Sequence, residues 1–228
     1  MRTILLAAGF GKRLMPLTKD IPKCLVPIKG VPLLEIWLSR LVEFNLGPFL
    51  INTHYKSNQV ESYVKGSQYS NKVTIANESL LMGTAGTLVK NLDFFQGEDG
   101  LLIHSDNYCM ANFNAFIDAH QNRPKECLLT MMTFRTNNPS ACGIIKLNHK
   151  GIVTQFYEKV TNPPGNLANG AIYILSAELL VMIKKELSEA KDFSTEILNH
   201  LIGRIFTYET REIFIDIGTP EAYKKANF

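Results

Sequence analysis

The residues best suited to chemistry lie in a glycine-rich segment near the start of the chain, LAAGFGKRLMPLT at 6–18, and in PKCLVPI at 22–28. Because Gly9 and Gly11 carry no side chain, the backbone can approach a ligand closely and point its amides at phosphate oxygens. Three basic residues accompany these glycines: Lys12, Arg13 and Lys23. A triphosphate is a polyanion, so a loop that binds one needs several donors and little steric bulk.

The spacing of these glycines differs from that of the common phosphate-binding motifs. The segment lacks the third glycine of a dinucleotide fingerprint, and the chain has no G-x-x-x-x-G-K-[ST] sequence. Two glycines after a strand are, by themselves, typical of any tight turn. The missing glycine disfavours a dinucleotide-dependent oxidoreductase.

Two aspartates far apart in the sequence each follow a run that predicts a strand. Asp106 lies in HSDN after an apolar run, and Asp216 lies in FIDIGTPEAY. Ligands of open α/β sheets gather beyond the carboxyl ends of the strands, so an acid at such a position is well placed. Carboxylate oxygens suit a hard divalent cation. The alternative interpretation of Asp106 is a surface residue that caps a turn.

Strands and helices alternate along the first half of the chain. Short apolar runs predict strands at 3–8, 49–53, 73–76 and 101–104. Helical spacing of apolar residues predicts helices at 32–46, 58–64 and 84–92. This alternation is typical of a doubly wound, mostly parallel α/β sheet. The glycine-rich loop would follow its first strand, and Asp106 the last strand of this half.

The second half of the chain is richer in strands. Strands are predicted at 127–134, 143–147, 152–157, 171–175, 205–208 and 213–217, and helices at 177–187 and 195–202. The first four of these strands are too closely spaced for parallel crossovers, so we expect at least one antiparallel pairing. No repeat, low-complexity tract or linker interrupts the chain, which predicts one domain over residues 1–228.

The bulk composition excludes several classes of protein. The 228 residues are 46% hydrophobic and 20% charged, with a formal net charge of +3 and no run of five basic residues, which does not favour nucleic acid. No apolar window reaches the roughly 18 residues of a membrane span, and the first apolar run is too short for a signal peptide. The four cysteines lack C-x-x-C spacing. We therefore expect reduced thiols in a cytoplasmic protein.

The two segments at the start of the chain resemble the signature of a known enzyme family. Their pattern, A-A-G-x-G-x-R-L-x-P-L-T followed by P-K-x-L-V-P-I, is similar to that of the sugar-1-phosphate nucleotidylyltransferases, or nucleotide-sugar pyrophosphorylases. Those enzymes join a nucleoside triphosphate and a sugar 1-phosphate, with release of pyrophosphate. The resemblance implies a nucleotidyltransferase domain of GT-A-like fold, with a nucleotide-binding half at about 1–110 and a strand-rich sugar-binding half at about 111–228.

The resemblance also implies which residues bind the nucleotide. The loop would wrap the triphosphate, with Arg13 holding the phosphates and Lys23 stabilising charge at the α-phosphate, so these two are the predicted catalytic residues. The segment NESLLMGTAG resembles one that lines the base pocket, and the Glu78 carboxylate could accept hydrogen bonds from guanine, uracil or thymine. The predicted nucleotide-binding residues are Ala8, Gly9, Gly11, Lys12, Arg13, Glu78, Gly83 and Thr84. The structural alternative for Thr84 is a helix cap.

A metal site and a sugar-phosphate site follow from the same resemblance. Asp106 and Asp216 match the family's magnesium-binding aspartates, which makes Mg²⁺ the predicted cofactor. Glu158 and Lys159 match an E-K pair that contacts the sugar hydroxyls and the sugar phosphate, and Asn169 matches a sugar-binding asparagine. Three positions depart from the family's usual residues: Lys12 replaces threonine, Ser105 replaces glycine, and Ala171 lies where many relatives read N-G-G.

The substrates predicted from the resemblance are a nucleoside triphosphate and a sugar 1-phosphate. The chain most resembles bacterial guanylyltransferases that use GTP and mannose- or heptose-type 1-phosphates. The alternatives are UTP- or dTTP-dependent enzymes for N-acetylmuramate- or glucose-type 1-phosphates, a CTP-dependent phosphocholine-type cytidylyltransferase, and a non-catalytic regulatory subunit that binds nucleotide sugar. No nucleic-acid or membrane partner is expected. A homo-oligomer is expected only because members of the family often assemble.

Overall fold

The computed structural model describes all 228 residues. Its strands are β1 (Arg2–Leu6), β2 (Pro27–Ile28), β3 (Val31–Pro32), β4 (Phe49–Thr53), β5 (Val73–Asn77), β6 (Gly100–His104), β7 (Asn107–Cys109), β8 (Leu129–Arg135), β9 (Gly143–Leu147), β10 (Val153–Glu158), β11 (Leu167–Leu175), β12 (Ile205–Glu209) and β13 (Phe214–Asp216). Its α-helices are α1 (Leu33–Glu43), α2 (Ser57–Gly66), α3 (Gly83–Lys90), α4 (Phe113–Gln121), α5 (Ala177–Glu186) and α6 (Pro220–Asn227).

Two compact units are assembled from separate stretches of the chain. The first unit comprises Met1–Leu81, Ile103–Met110 and Ile213–Phe228, and the second comprises Met82–Leu102 and Ala111–Glu212. The last stretch of the chain therefore belongs with the first. One functional domain over 1–228 stays a prediction, as does its division near residue 110.

The first unit contains parallel strands. Its strand order is β1-β4-β5, and β4 pairs in parallel with both β1 and β5. Every residue of β4 is buried, as expected of an interior parallel strand. The predicted helix at 32–46 is shorter in the structure, because Pro32 belongs to β3 and Asn45 adopts a left-handed conformation with φ of 55°.

Two elements near the end of the first unit carry the second aspartate. Strand β13 pairs antiparallel with β7, a three-residue strand that the sequence did not predict. After β13 the chain turns at Gly218 and enters α6, where the Thr219 hydroxyl accepts a hydrogen bond from the Ala222 amide at 3.2 Å. Thr219 therefore caps α6 and Pro220 is its first residue, as the sequence predicts.

The second unit is dominated by antiparallel pairing. Its strand order is β10-β9-β11-β8-β12, in which only β8 and β12 are parallel. The expected antiparallel pairing in the second half is therefore confirmed. Together with the parallel β1, β4 and β5, these strands confirm the α/β class and its mostly parallel sheet with antiparallel strands.

Three predictions for the second unit were wrong in extent or incomplete. The strand expected at 171–175 begins at Leu167, because an irregularity between Asn169 and Tyr173 lets the pairing continue through Gly170. The helix expected at 195–202 is a π-helical turn, Phe193–Leu198, capped by the Asp192 side chain. Helix α4 was not predicted. None of the helices combines the length and the apolar character needed to cross a bilayer.

Candidate active site

The glycine-rich loop closes on itself directly after β1. Gly11 has a φ of 63°, and a Cβ atom there would lie 2.9 Å from Thr18 Cγ2 and 3.2 Å from Lys23 Cβ. The Thr18 hydroxyl also donates a hydrogen bond to the Gly11 carbonyl at 2.8 Å. Glycine is therefore required at position 11 for both conformation and space. The side chains of Lys12 and Arg13 project from this loop and are exposed.

The first unit brings the predicted catalytic lysine against both predicted metal ligands. Lys23 Nζ lies 2.7 Å from Asp106 Oδ2 and 3.9 Å from Asp216 Oδ1. The Lys23 side chain is only 11% exposed, whereas the two aspartates are 40% and 44% exposed. The ammonium group therefore reaches the carboxylates from the protein side, and the carboxylates keep access to solvent and to ligands.

Backbone pairing between β7 and β13 explains why these two aspartates meet. Asn107, the neighbour of Asp106, stands opposite Asp216 in the antiparallel register. The Ile217 amide donates to the Asp106 carbonyl at 3.0 Å, which continues the ladder by one step. The two carboxylates are thus fixed by main-chain hydrogen bonds, although 110 positions separate them. The sequence analysis missed β7 because three residues are too few to show a periodic pattern.

The serine that replaces the family's glycine has a structural role at this site. Ser105 is buried, its hydroxyl donates to the Leu6 carbonyl at 2.7 Å, and its amide donates to the same oxygen at 3.1 Å. The segment that carries Asp106 is therefore tied to the end of β1, where the glycine-rich loop begins.

The charge state of Asp106 follows from its surroundings. Burial opposes ionisation of this carboxyl, but the positive charge of Lys23, with a smaller contribution from His104, outweighs it and holds the pKa of Asp106 below its ordinary value. Asp106 is therefore an anion at neutral pH. An anionic oxygen is the form that binds a cation.

The donor atoms at this site fit a magnesium ion whose other ligands come from a substrate and from water. The two aspartates offer only oxygen atoms, and no group of three or more His, Cys, Asp or Glu side chains is placed to hold a metal by itself. Mg²⁺ is usually bound through one or two carboxylates, with substrate phosphates and water as the other ligands. A cationic group, Lys23, already lies within reach of both carboxylates, so the position is electrostatically suited to positive charge.

Gly218 packs directly against the charged groups of the site. A Cβ atom at this position would lie 3.0 Å from Asp216 Oδ1 and 3.2 Å from Arg13 Nη2. The glycine therefore allows the predicted metal-binding carboxylate and the predicted phosphate-binding guanidinium to approach the same point of the backbone. Arg13 thus joins Lys23 and the two aspartates in one cluster.

Glu78 follows β5 in the same unit and is 4% exposed. Its Oε1 accepts a hydrogen bond from Asn52 Nδ2 at 2.9 Å, and Asn52 Oδ1 accepts from the Ala7 amide at 2.7 Å. The sequence analysis did not single out Asn52. Its only signal was an amide side chain in an otherwise apolar strand.

The remaining predicted nucleotide-binding residues, Gly83 and Thr84, lie in the second unit. Gly83 has a φ of 78°, and a Cβ atom there would lie 2.2 Å from the Lys191 carbonyl oxygen. The cap role considered for Thr84 is wrong, because α3 begins at Gly83 with Met82 as its N-cap residue. The Thr84 hydroxyl instead accepts a hydrogen bond from the Phe193 amide at 2.8 Å.

Glu158 and Lys159 form an ion pair at the end of β10. Lys159 Nζ lies 2.8 Å from Glu158 Oε1, and the lysine side chain is 60% exposed. Lys159 adopts a left-handed φ of 50°, which ends the strand. Gly143, opposite Glu158 in the register with β9, leaves space for the glutamate, since a Cβ atom there would lie 2.7 Å from Glu158 Oε2.

Asn169 is held inside β11 by its own strand. Its Nδ2 donates to the Tyr173 hydroxyl at 2.7 Å, and its Oδ1 accepts from the Ala171 amide at 2.8 Å. Ala171 has a φ of 53°, a conformation that favours glycine. The glycine that the family pattern leads one to expect at this position would adopt this conformation with less strain than alanine. The second N–H of the Asn169 amide gives it the capacity to donate to a further partner.

The structure thus distributes the predicted site residues between the two units. The first unit holds Ala8, Gly9, Gly11, Lys12, Arg13, Lys23, Glu78, Asp106 and Asp216. The second unit holds Gly83, Thr84, Glu158, Lys159 and Asn169. In the first unit, a glycine-rich loop follows a strand and lies beside a lysine, an arginine and two carboxylates at strand ends. This arrangement combines anion-binding donors with a potential metal site, and it therefore defines a site for phosphoryl or nucleotidyl transfer.

Comparison with known proteins agrees with this class. Residues 2–228 match the family described as nucleotidyl transferase, and the chain belongs to that family. It is 28% identical to a D-glycero-alpha-D-manno-heptose 1-phosphate guanylyltransferase of Campylobacter jejuni, over 98% of this chain and 97% of that protein. It is 24% identical to a mannose-1-phosphate guanylyltransferase of Mycobacterium tuberculosis, over 98% of this chain but only 63% of that protein.

A solved structure supports the fold. The crystal structure of HddC from Yersinia pseudotuberculosis complexed with GMP-PN has a TM-score of 0.83 to this chain. The two proteins are 26% identical, and the match covers 99% of this chain and 97% of HddC. The family resemblance noted from the sequence is therefore confirmed.

Proposed function

We propose that this protein transfers a nucleoside monophosphate from a nucleoside triphosphate to a sugar 1-phosphate, with release of pyrophosphate. The observation that carries the proposal is the cluster in the first unit, where Lys23 reaches Asp106 and Asp216 beside the glycine-rich loop. Polyphosphate chemistry needs this combination, because two polyanions must be brought together and new charge must be neutralised. Family membership over 2–228 supports the same reaction class.

The nucleophile in this reaction needs little activation by the protein. An oxygen of the sugar phosphate, already anionic near neutral pH, forms a bond to the α-phosphorus, while the bond from that phosphorus to the bridging oxygen breaks and pyrophosphate leaves. No catalytic base is required. The protein's task is to position the two substrates and to stabilise the charge that develops.

The charged residues of the chain divide this task. Arg13 binds the triphosphate, and Lys23 stabilises charge at the α-phosphate. Asp106 and Asp216 would hold Mg²⁺, which when bound supplies positive charge to the phosphate oxygens. In the second unit, Lys159 binds the phosphate of the acceptor, and Glu158 and Asn169 bind its hydroxyls.

Guanosine and a mannose- or heptose-type sugar are the proposed specificities. Two relatives named as guanylyltransferases for such sugar phosphates match 98% of this chain, and HddC was solved with GMP-PN. The buried Glu78 carboxylate is suited to guanine, which presents adjacent ring N–H and amino donors. A non-catalytic subunit is disfavoured, since both aspartates and the loop cations are all present. A cytoplasmic location and a homo-oligomer remain predictions from the sequence.

One matrix of assays tests this proposal. The protein is incubated with GTP, UTP, dTTP or CTP, Mg²⁺ and a panel of sugar 1-phosphates plus phosphocholine, and pyrophosphate is measured. We expect release only when GTP meets a mannose- or heptose-type 1-phosphate. Controls omit the acceptor, to exclude hydrolysis of the triphosphate, or contain EDTA.

The other outcomes of the matrix distinguish the alternatives. Release with UTP or dTTP would contradict the base assignment and retain the reaction class. Release with CTP and phosphocholine would overturn the sugar assignment. No release with any pair would refute catalysis and favour a binding subunit.

A further inference from the structure

We infer that Asn52 is a positioning residue that aims the Glu78 carboxylate at the nucleotide base and so determines base selectivity. The inference rests on the proposed function for the identity of the ligand. Asn52 and Glu78 are 3% and 4% exposed, and the Asn52 carboxamide is bonded at both ends, to the Ala7 amide and to Glu78 Oε1. Of these two residues, only Glu78 is a predicted binding residue.

The hydrogen-bond partners fix which way the Asn52 amide faces. The Ala7 amide is a donor, so the group that accepts from it at 2.7 Å must be the carbonyl oxygen of Asn52. The amino group then necessarily faces Glu78, at 2.9 Å from Oε1. If the amide were flipped, the Asn52 amino group would face the Ala7 amide and the Asn52 carbonyl oxygen would face Glu78 Oε1, so neither hydrogen bond could form. The orientation is therefore enforced by the main chain of the glycine-rich loop.

Asn52 also joins the ends of three neighbouring strands. Ala7 follows β1, Asn52 lies in β4, and Glu78 follows β5, in the sheet order β1-β4-β5. Ligands of open α/β sheets bind at such strand ends. One side chain thus links the beginning of the predicted triphosphate loop to the carboxylate that is proposed to read the base.

The backbone of Glu78 is held as firmly as its side chain. Its amide donates to the Thr53 carbonyl at 2.8 Å, and its carbonyl lies 2.7 Å from His54 Nδ1. With both backbone groups fixed, the remaining freedom of Glu78 lies in its side-chain torsions. The bond from Asn52 to Oε1 restricts those torsions, and a carboxylate can accept further bonds while it keeps this one.

The chemical consequence concerns what Glu78 can recognise. Because Asn52 donates to it, Glu78 is held as an acceptor, and an acceptor selects bases that present N–H groups. Guanine offers two adjacent donors, at N1 and at the 2-amino group, whereas hypoxanthine offers only the first. The preference for GTP over ITP therefore reports how well the carboxylate is aimed. General damage to the fold would instead weaken the binding of GTP and the binding of ITP equally.

The test replaces Asn52 with leucine, which has a similar size and no hydrogen-bonding group. Dissociation constants for GTP and ITP are measured by calorimetry without sugar 1-phosphate, so that the result does not depend on turnover. We expect the wild type to prefer GTP by about tenfold, the value of one hydrogen bond to a charged group, and Asn52→Leu to prefer it by less than about twofold.

Two further variants keep the test decisive. Thr53→Val is the matched control, because Thr53 is the next residue of β4, is 1% exposed and has a hydroxyl without a hydrogen-bond partner; it should keep the wild-type preference. Asn52→Asp keeps the acceptor for Ala7 but loses the donor to Glu78, and the two carboxylates would repel each other. It should lose the preference even if Asn52→Leu fails to fold.

The outcomes separate this inference from the function on which it rests. A wild type that prefers GTP, with Asn52 variants that keep the preference, would overturn the role of Asn52 and leave the function untouched. A wild type that binds GTP and ITP equally would refute the reading of the 2-amino group by Glu78, and with it the inference. Nucleotide binding with the expected preferences but no pyrophosphate release would refute the proposed reaction and retain the inference.

Discussion

Lys23 and Glu78 in the first unit differ from the Glu158–Lys159 pair in the second in how the protein holds them before a substrate arrives. In the first unit, Lys23 is 11% exposed and Glu78 is 4% exposed, and each is bonded to a side chain distant in sequence. In the second unit, Lys159 is 60% exposed and pairs with its own neighbour Glu158. The first arrangement is set by the fold, whereas the second is local and easily rearranged.

The difference has an energetic interpretation. Groups that stabilise a transition state act best when they are already oriented, because no energy is then spent on reorganisation. A residue that only holds an incoming phosphate can adjust as its ligand binds. We therefore expect replacement of Lys23 in the first unit to reduce turnover and replacement of Lys159 in the second to weaken acceptor binding.

Replacement of Lys23 should produce the largest effect. In Lys23→Ala the positive charge at the α-phosphate is lost, and we expect kcat to fall by roughly 10²–10³. Steady-state assays with the best substrate pair measure this change. Lys19→Ala, which removes an exposed lysine of the same unit, is the control. Near-normal turnover in Lys23→Ala would contradict the assigned role.

Lys23→Ala should also change how tightly the two aspartates bind a divalent cation. Because Lys23 Nζ lies 2.7 Å from Asp106, its ammonium competes with a divalent cation for that carboxylate. Lys23→Ala should therefore bind Mn²⁺, a probe for Mg²⁺, about tenfold more tightly than the wild type in the absence of nucleotide. Electron paramagnetic resonance measures the free ion. Weaker binding in the variant would show that the lysine supports the metal site instead of competing for it.

Removal of Lys159 should affect the acceptor alone. Lys159→Ala should raise KM for the sugar 1-phosphate by roughly 10- to 100-fold, the value of a charge-assisted hydrogen bond, with KM for the triphosphate unchanged. Because the ion pair is largely exposed, its loss should change the free energy of unfolding by less than about 1 kcal/mol. Lys150→Ala, on an exposed turn of the same unit, is the control. An equal rise in both KM values would argue against separate binding roles.

A methyl group at Gly218 should disturb the first unit without unfolding it. The added Cβ would lie 3.0 Å from Asp216 Oδ1 and 3.2 Å from Arg13 Nη2, so both charged groups must shift. We expect Gly218→Ala to lower kcat/KM by about tenfold, since small displacements of catalytic groups are costly. Gly165→Ala, where a Cβ would meet no atom within 4 Å, should be neutral. Unchanged kcat/KM would mean that the geometry around Asp216 is not critical.

The smallest effect concerns stability in the second unit, away from the predicted site. Burial lowers the pKa of His120 below its ordinary value of 6.5, although its hydrogen bond to Asp99 opposes this shift. Between about pH 6.5 and the lowered pKa of folded His120, the unfolded chain therefore binds a proton that the folded protein does not. The free energy of unfolding decreases as the pH falls through this range. The measurement is the free energy of unfolding, obtained with denaturant between pH 7 and 5. Its decrease with falling pH should be less steep in His120→Gln than in the wild type, and His149→Gln, at an exposed histidine, is the control. Equal slopes would contradict the assignment.

The sequence predicted the chemistry of the first unit better than its geometry. The basic residues in and after the glycine-rich loop indicated a phosphate site, because these signals are local. The strand that joins Asp106 to Asp216 is only three residues long, and Asn52 lies in an apolar run that reads simply as a strand. Contacts between distant segments carry no local signal, and these were the features that the sequence could not reveal.

In the second unit the misses have local causes. Asn169 and Gly170 look like a turn, but the strand runs through them by means of an irregular register and the left-handed Ala171. Helix α4 had a detectable signal, since its apolar residues Phe113 and Phe116 recur at helical spacing after Asn112, whose side chain caps the helix.

The pairing of β7 with β13 bears on which parts of the chain can change without disturbing the two aspartates. Residues 111–212 leave the first unit after Met110 and return at Ile213, and the Met110 amide bonds to the Ile213 carbonyl at 2.9 Å. This stretch is therefore inserted between two strands, β7 and β13, that hydrogen-bond to each other. Mutations within this stretch, which carries Glu158, Lys159 and Asn169, would therefore leave intact the main-chain hydrogen bonds that hold Asp106 and Asp216, the predicted metal ligands, in register.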